Sequence, residues 1–425
     1  MKKVLFTLQW YKIPSSFAAS ANALCDENII NELKKSPNIE IHTLSYGLPG
    51  YSYEDVIDNV YVHRFKRSRF WSNYILTRNE ANSRKHKFYC FVSRIVMRIK
   101  QVFFFYKFPN YEIGLTRRFE KEALKLHKLY NYDLIISEFN GIDSLSAGAA
   151  IKKKYPTIKF LPICWDSIAG GRLAKWMPAN YCRKLRIKTE VKFMRLADAA
   201  IVMRTSETFH TTNNYNRDYL KKFIFLDVPY FIPINKYNTS NYNGQGTLKL
   251  LYSGTMTDRN PSVLLQTLEQ LGIKSSFTFI TLSLDHNQIL KLQRSLKFVN
   301  LRCLPYISHE ELLEYQKNSD ILVNFGVSNT NAVSGKIFDY MSTGKPIIST
   351  ISIDNEACIP YLKKYPKALI FDDRKSSRER VQQLKVFIKA MNTIQVNMHE
   401  IRESFRENTP IAYVDIINGL LNNEL

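Results

Sequence analysis

Two runs of alternating strand-like and helix-like segments, separated by one polar stretch, constrain this chain more than any other feature. The first run opens with VLFTLQW (4–10), a helical stretch from Ser15 to Lys35, IEIHTLSY (39–46) and VYVHRF (60–65). After an insertion rich in basic and aromatic residues come a helix over 115–130, DLIISEF (133–139), another helix and IKFLPICWD (158–166). A basic helix over 181–196 then leads to AAIVM (199–203) and KFIFL (222–226). Segments alternating at this length predict an α/β fold, with parallel sheets covered on both faces. NKYNTSNYNGQGT (235–247) is polar, rich in Asn and Gly, and reads as a linker.

Beyond it the alternation restarts with LKLLYSG (248–254), a helix over 261–271, SFTFITL (276–282), a helix over 286–297 and VNLRCLPY (299–306). A helix over 308–317, DILVNFG (320–326), a helix from Val333 to Ser342, PIISTIS (346–352) and ALIF (368–371) follow, with helical stretches from Ser376 to Leu421. The expected division is 1–232, 248–390 and a set of final helices over 391–425. Two α/β halves joined by one linker form a cleft, and sheets of this kind bind ligands at the carboxyl ends of their strands.

Charge is the one unusual feature of the composition. The 425 residues carry 60 Lys+Arg against 38 Asp+Glu, a formal net charge of +22. Of this, +18 belongs to residues 1–232 and +4 to the remainder. The densest part, 61–107, has twelve basic residues and one acidic residue, Glu80. Such an excess calls for an acidic partner: nucleic acid, anionic lipid or a phosphorylated substrate. The six cysteines form no Cys-x-x-Cys pair and the eight histidines are dispersed, so free thiols in a reducing cytosol are expected and no metal site is implied. The start MKKVLFTLQW reads as a first buried strand rather than a signal peptide, and no apolar window reaches spanning length.

Three stretches of the second half carry chemistry. In Asn331-Ala-Val-Ser-Gly-Lys-Ile-Phe-Asp-Tyr-Met-Ser-Thr-Gly-Lys-Pro-Ile-Ile348, a strand ends in a polar loop that enters a helix at Ser334-Gly335-Lys336. Free backbone N–H groups there suit a phosphate, and Lys336 adds a full charge. Asp339, three residues on, can share a face with Lys336, and a carboxylate is suited to vicinal ribose hydroxyls. In Tyr252-Ser253-Gly254-Thr255-Met256-Thr257-Asp258-Arg259, a strand and glycine are followed by an arginine whose fork suits two phosphate oxygens. In Leu304-Pro305-Tyr306-Ile307-Ser308-His309-Glu310-Glu311, Ser308 and Glu311 have capping-box spacing. An ordinary β-α-β unit with solvated charges is the competing reading of the first stretch.

In that order these stretches resemble the donor-site signature of GT-B glycosyltransferases, especially the glycosyltransferase family 4-like group. The resemblance covers most of 248–372 and implies two Rossmann-like domains facing a central cleft, with the final helices crossing back to the first domain. It implies that Asp339 binds the nucleotide ribose, that Arg259 after Gly254 contacts the donor diphosphate together with Lys336, and that the strand end at Tyr306 lies against the base. Asn331 stands where the first acidic residue of the family pair falls, and as an amide it can hydrogen-bond a sugar hydroxyl. Retention of configuration and metal independence follow from the same likeness, with a nucleotide sugar as donor substrate and no separate cofactor.

From the first half, Asp166 in the loop Cys164-Trp165-Asp166-Ser167 is the leading catalytic candidate and Glu138, at the end of the preceding strand, the second. Either could serve as a cap or surface group instead. Residues 88–108 (FYCFVSRIVMRIKQVFFFYKF) mix aromatic and aliphatic side chains with Arg94, Arg98, Lys100 and Lys107. That is the composition of an interfacial helix on anionic lipid; a core helix with a solvated basic face is the alternative. The combined expectation is a cytoplasmic enzyme peripheral to the inner face of the cell membrane. It would transfer a sugar to a glycan or polyprenyl-diphosphate-linked saccharide in surface polysaccharide synthesis. A non-catalytic GT-B-like scaffold is the alternative of another class. No nucleic-acid reader motif accompanies the charge, so no nucleic-acid partner is expected.

Overall fold

The computed structural model describes residues 1–13, 21–77, 83–232, 242, 244–256, 258–281, 283–326 and 333–424. Asn331, most of the expected linker and the first residues of the Ser15–Lys35 stretch lie outside the described residues. Contacts divide the chain into two compact units, Met1–Pro229 with Pro410–Leu425, and Tyr230–Thr409.

The first unit is built on an eight-stranded sheet. Its strands are β1 (Lys2–Thr7), β2 (Ile39–Gly47), β3 (Glu54–Ile57), β4 (Val60–Lys66), β5 (Leu134–Glu138), β6 (Lys159–Cys164), β7 (Ala200–Met203) and β8 (Phe223–Leu226), in the order β3-β4-β2-β1-β5-β6-β7-β8. All neighbours are parallel except β3 and β4. Strands buried on both faces need near-continuous apolar runs, and Val4–Phe6 and Leu134–Ile136 provide them. The β3–β4 hairpin is an element that the strand pattern did not indicate. Its turn uses Asp58 and Asn59 at φ 50° and 65°, the left-handed pair that a tight two-residue hairpin requires.

The second unit has six parallel strands: β9 (Leu248–Ser253), β10 (Ser275–Ile280), β11 (Val299–Leu304), β12 (Ile321–Phe325), β13 (Ile347–Ile351) and β14 (Ala368–Asp372). Their order is β11-β10-β9-β12-β13-β14. The chain starts in the middle at β9, builds outward to β11, then returns to β12 on the other side. Phe277, Phe279 and Phe325 stack across this sheet, with Phe277 and Phe279 centroids 4.3 Å apart. Capping boxes at Ser308/Glu311 and Ser376/Glu379 fix the starts of helices His309–Asn318 and Ser377–Ala390.

The final helices do not form one group over 391–425. Helix Met398–Ser404 stays with the second unit, where Phe405 lies 5.8 Å from Phe231 and 6.1 Å from Phe338. Helix Pro410–Leu421 belongs to the first unit and packs on helix Ala21–Leu33, with the Tyr413 hydroxyl donating to the Asp227 carbonyl at 2.6 Å. The six cysteines are free thiols.

Helix Ile142–Lys154 approaches β5 and β6 so closely that a Cβ on Gly148 would lie 2.3 Å from Ser137 Oγ and 2.4 Å from the Phe160 ring. Gly148→Ala should therefore destabilise the first unit by about 1–3 kcal/mol in urea unfolding, although alanine is the better helix former. An unchanged midpoint would show that the helix can move away at no cost.

Candidate functional site

In the second unit the chain leaves β9 and β12, which are neighbours, towards opposite sides of the sheet. This opens a crevice at their carboxyl ends. The loops that enter it carry most of the residues singled out in the sequence. Lys336 is the first residue of helix Lys336–Ser342, shorter than the Val333–Ser342 span expected, with Gly335 as its N-cap. The Lys336 ammonium sits 5.2 Å from the Tyr252 ring centre. It occupies the space beside Gly254, where a Cβ would come within 1.8 Å of Nζ. Gly254 also has φ +135°, a conformation costly for any other residue.

Arg259 is held by both sides of the crevice. Its Nε donates to the Phe325 carbonyl at the end of β12 (3.1 Å), and Nη1 donates to the Thr255 carbonyl (3.2 Å) and Oγ1 (3.3 Å) after β9. The guanidinium lines a cavity of about 610 Å³, together with Asp285, Gly326, Thr350 and Ser352. Asp285 is itself fixed by the Thr281 hydroxyl at 3.0 Å and the Met256 amide at 3.3 Å.

Burial pushes the Lys336 ammonium down to about 7; nearby Arg259 depresses it further and Asp339 opposes the shift. Two cations close enough to repel, one of them desolvated, make a site whose energy falls when an anion enters. Asp339 accepts from Gln316 Nε2 at 2.7 Å, which orients the carboxylate from helix His309–Asn318. Tyr306 is 41% exposed after β11, and burial of part of the ring with Asp285 nearby raises its phenol. The Ser334 amide donates to Cys358 Sγ at 3.3 Å, and the Cys358 amide donates to Glu356 Oε2 at 2.8 Å. Glu356 is 2% exposed, with Oε1 lacking a hydrogen-bond partner, and its carboxyl is raised by burial. The sequence reading passed over Glu356, although an acidic residue just after a central strand, β13, was the available signal.

In the first unit the two catalytic candidates have different environments. Asp166 is exposed in the loop after β6. That loop is held by the Ala169 amide donating to Glu190 at 2.9 Å and by Arg186 donating to the Ile168 carbonyl at 2.9 Å. Glu138, the second catalytic candidate, is 1% exposed. It accepts the Gln9 amide at 3.0 Å and lies within hydrogen-bonding reach of buried Asp26, with the Trp165 indole beside them. Asp26 Oδ2 and Glu138 Oε1 have no donor among the described residues. A proton shared between the carboxyls satisfies both. Burial accordingly raises both groups, Glu138 to about 7.

The basic insertion divides into internal and outward charges. Arg67 pairs with Glu112 at 2.9 Å and stacks 4.1 Å over Trp71, and Arg64 is buried beside Asp55. Helix Arg84–Phe103 has no buried residue. Its inner side meets helix Arg69–Leu76 through Tyr89 and Asn73 (3.1 Å) and through stacked His86 and Tyr74. Phe88, Phe91, Ile95, Ile99, Val102 and Phe103 are exposed, as are Arg94 and Arg98. No described helix is long and apolar enough to cross a membrane, and no group of three His, Cys, Asp or Glu among the described residues could hold a metal ion.

No family model and no curated protein sequence matches this chain. Solved structures do. A glycosyltransferase from Rickettsia africae aligns over 100% of this chain and 96% of its own, at 12% identity and a TM-score of 0.57. An α,α-trehalose-phosphate synthase from Burkholderia xenovorans in complex with glucose-6-phosphate aligns over 99% and 100%, at 11% identity and 0.56. An E. coli trehalose-6-phosphate structure bound with UDP-2-fluoro glucose aligns over 99% of each chain, at 8% identity and 0.55. The chain thus has the fold of GT-B glycosyltransferases, two Rossmann-like α/β domains.

The carboxyl pair makes the first unit sensitive to pH. Glu138 holds its proton more tightly folded than unfolded, so the stability it contributes is complete in acid. That contribution declines as pH rises from the ordinary carboxylate range and is lost as pH passes through about 7. Urea midpoints should fall as pH rises from about 5 to 7, by at most about 1.4 kcal/mol per pH unit for each of the two raised carboxyls that titrates there. Glu138→Gln should flatten this slope; an equal slope in both proteins would remove the shared proton from the account.

Proposed function

We propose that this chain is a glycosyltransferase that moves a sugar from a nucleotide-sugar donor to a glycan or lipid-linked acceptor, retaining the anomeric configuration. The observation that carries this reading is the pair of cations, Arg259 and Lys336, drawn together at the carboxyl ends of β9 and β12 with Asp339 beside them. A nucleoside diphosphate matches that arrangement group for group. Its phosphates neutralise the two cations, Asp339 reaches the ribose hydroxyls, and the base lies at the end of β11 by Tyr306. The E. coli structure of the same fold, bound with UDP-2-fluoro glucose, supports a donor of this class.

In this reaction the bond between the anomeric carbon and the diphosphate oxygen breaks and the acceptor hydroxyl bonds to that carbon. Its proton passes to the departing phosphate oxygen. Charge accumulates on the leaving diphosphate, and preorganised cations lower the barrier by meeting it there. Asp166 is the exposed carboxylate offered for positioning an acceptor hydroxyl, and Glu138 with Asp26 holds the loop after β1. The exposed apolar row and the arginines of helix Arg84–Phe103 support peripheral attachment to an anionic bilayer, with the apolar side chains in the interface and the cations at the headgroups.

UDP serves as the probe of the donor site. Arg259→Ala and Asp339→Ala should each weaken UDP binding at least roughly tenfold in calorimetry without changing thermal unfolding. Above pH 7, where Lys336 is largely neutral when the site is empty, binding should take up a proton, and the affinity should fall with rising pH. Lys336→Met should bind weakly and show no such uptake. Equal UDP affinity in all four proteins would remove the assignment.

On the membrane side, Ile95→Glu with Ile99→Glu should abolish cosedimentation with phosphatidylglycerol vesicles and leave UDP affinity unchanged. Undiminished sedimentation would exclude this helix as the attachment element.

A further inference from the structure

The first unit contains a second cavity, of about 440 Å³, away from the carboxyl pair and unclaimed by the donor chemistry. It lies where the opening turns of helices Ile113–Tyr130 and Ile142–Lys154 meet the closing turns of helix Ala179–Met194 and the chain at 106–110. Its charged lining is Lys107, Arg117, Lys188 and Lys192 against one acid, Glu120. Arg117 and Lys192 face Glu120, whereas Lys107 and Lys188 have no ion-pair partner among the described residues, unlike Arg67 and Lys100 nearby, which are both paired with Glu112. The hydroxyls of Thr116, Ser146 and Thr189 complete the polar lining. Four cations against one carboxyl around a cavity form a site for a multiply charged oxyanion. Burial raises the Glu120 carboxyl, opposed by Lys192, Arg117 and the Ser146 hydroxyl.

Two further features identify the source of that oxyanion. The opening turn of helix Ile142–Lys154, which lines the cavity, follows the carboxyl end of β5 by a short turn in which Asn140 donates to Gln9 at 2.6 Å. The cavity's rim is also continuous with the exposed apolar face. Tyr106, 49% exposed, lines the cavity, and neighbouring Phe105 lies 6.2 Å from Tyr181. Phe103 and Phe104 then lead back along helix Arg84–Phe103. A free phosphate has no use for that rim, whereas a phosphate carried on a hydrocarbon chain uses both parts.

We propose that this cavity binds the phosphate or diphosphate headgroup of a membrane lipid, with Phe105, Tyr106 and Tyr181 against the start of its chain. The binding site stands on the cavity and its rim; its role in presenting the acceptor rests on the glycosyltransferase reading. Arg117→Gln/Lys188→Gln/Lys192→Gln removes the charge from the cavity. Lys128→Gln/Lys153→Gln/Lys154→Gln removes the same charge from the far ends of two of the same helices, with Lys128 about 16 Å from Arg117 along the axis and beyond the screening length.

The test is cosedimentation of the full chain with phosphatidylcholine vesicles, with and without phosphatidic acid. The cavity variant should lose roughly 100-fold in partitioning to the phosphatidic acid vesicles, and the control variant less than about threefold. Equal losses in the two variants, or full binding by the cavity variant, would overturn the site. Displacement from vesicles by inorganic pyrophosphate at concentrations that bind wild type equally well would overturn the lipid as the source. If the triple variant unfolds at lower temperature, Lys188→Gln alone, at an exposed position, replaces it and should lose several-fold. UDP affinity is measured on every protein: its absence from wild type would sink the donor reading while leaving the lipid result standing.

Discussion

The like charges of Arg259 and Lys336, brought together where β9 and β12 part, are the interaction on which the second unit's chemistry depends. Nothing in folding favours placing an ammonium beside a guanidinium, and burial adds to the cost. The arrangement persists because the surroundings over-determine it. Gly254 leaves room for Nζ, Tyr252 lies under it, and Arg259 is tied by hydrogen bonds to the ends of two strands. Energy stored in this way is released when an anion arrives, which is the basis of the proposed diphosphate site.

The first unit uses the opposite device. Asp26 and Glu138 are two buried acids with no cation paired to them among the described residues, and a proton shared between them would do the work that an arginine does elsewhere. Through the Gln9 amide and Asn140, this pair holds the loop after β1 at the edge of the sheet. The buried pair therefore has a positioning place in this unit, while Asp166 is exposed in the loop after β6.

The charge excess also proves to be heterogeneous. Arg64 and Arg67 are spent inside the unit on Asp55, Glu112 and aromatic rings, so they are not part of a free basic surface. What remains outward is a helix with apolar and basic side chains exposed together, continuous with a cavity lined by four cations and one acid. Bulk charge attracts an anionic surface in general; the cavity adds a place for one headgroup.

Much of this was legible in the sequence. Alternating runs marked most strands of both sheets, because parallel strands buried on two faces must be apolar throughout. Gly254, Arg259 and Lys336 were singled out by their offsets from strand ends, and the structure brings them together at the carboxyl ends of β9 and β12. Tertiary structure decided the rest. Glu138 reads as a cleft acid until Asp26, 112 positions earlier, is found against it. Glu356 comes near Arg259 only because β13 lies beside β12. The hairpin strand β3, and the separation of Met398–Ser404 from Pro410–Leu421, depend on partners distant in sequence. Periodicity reports how much of a segment is buried; which side chains meet is decided by strand order, and strand order is not a local property of the chain.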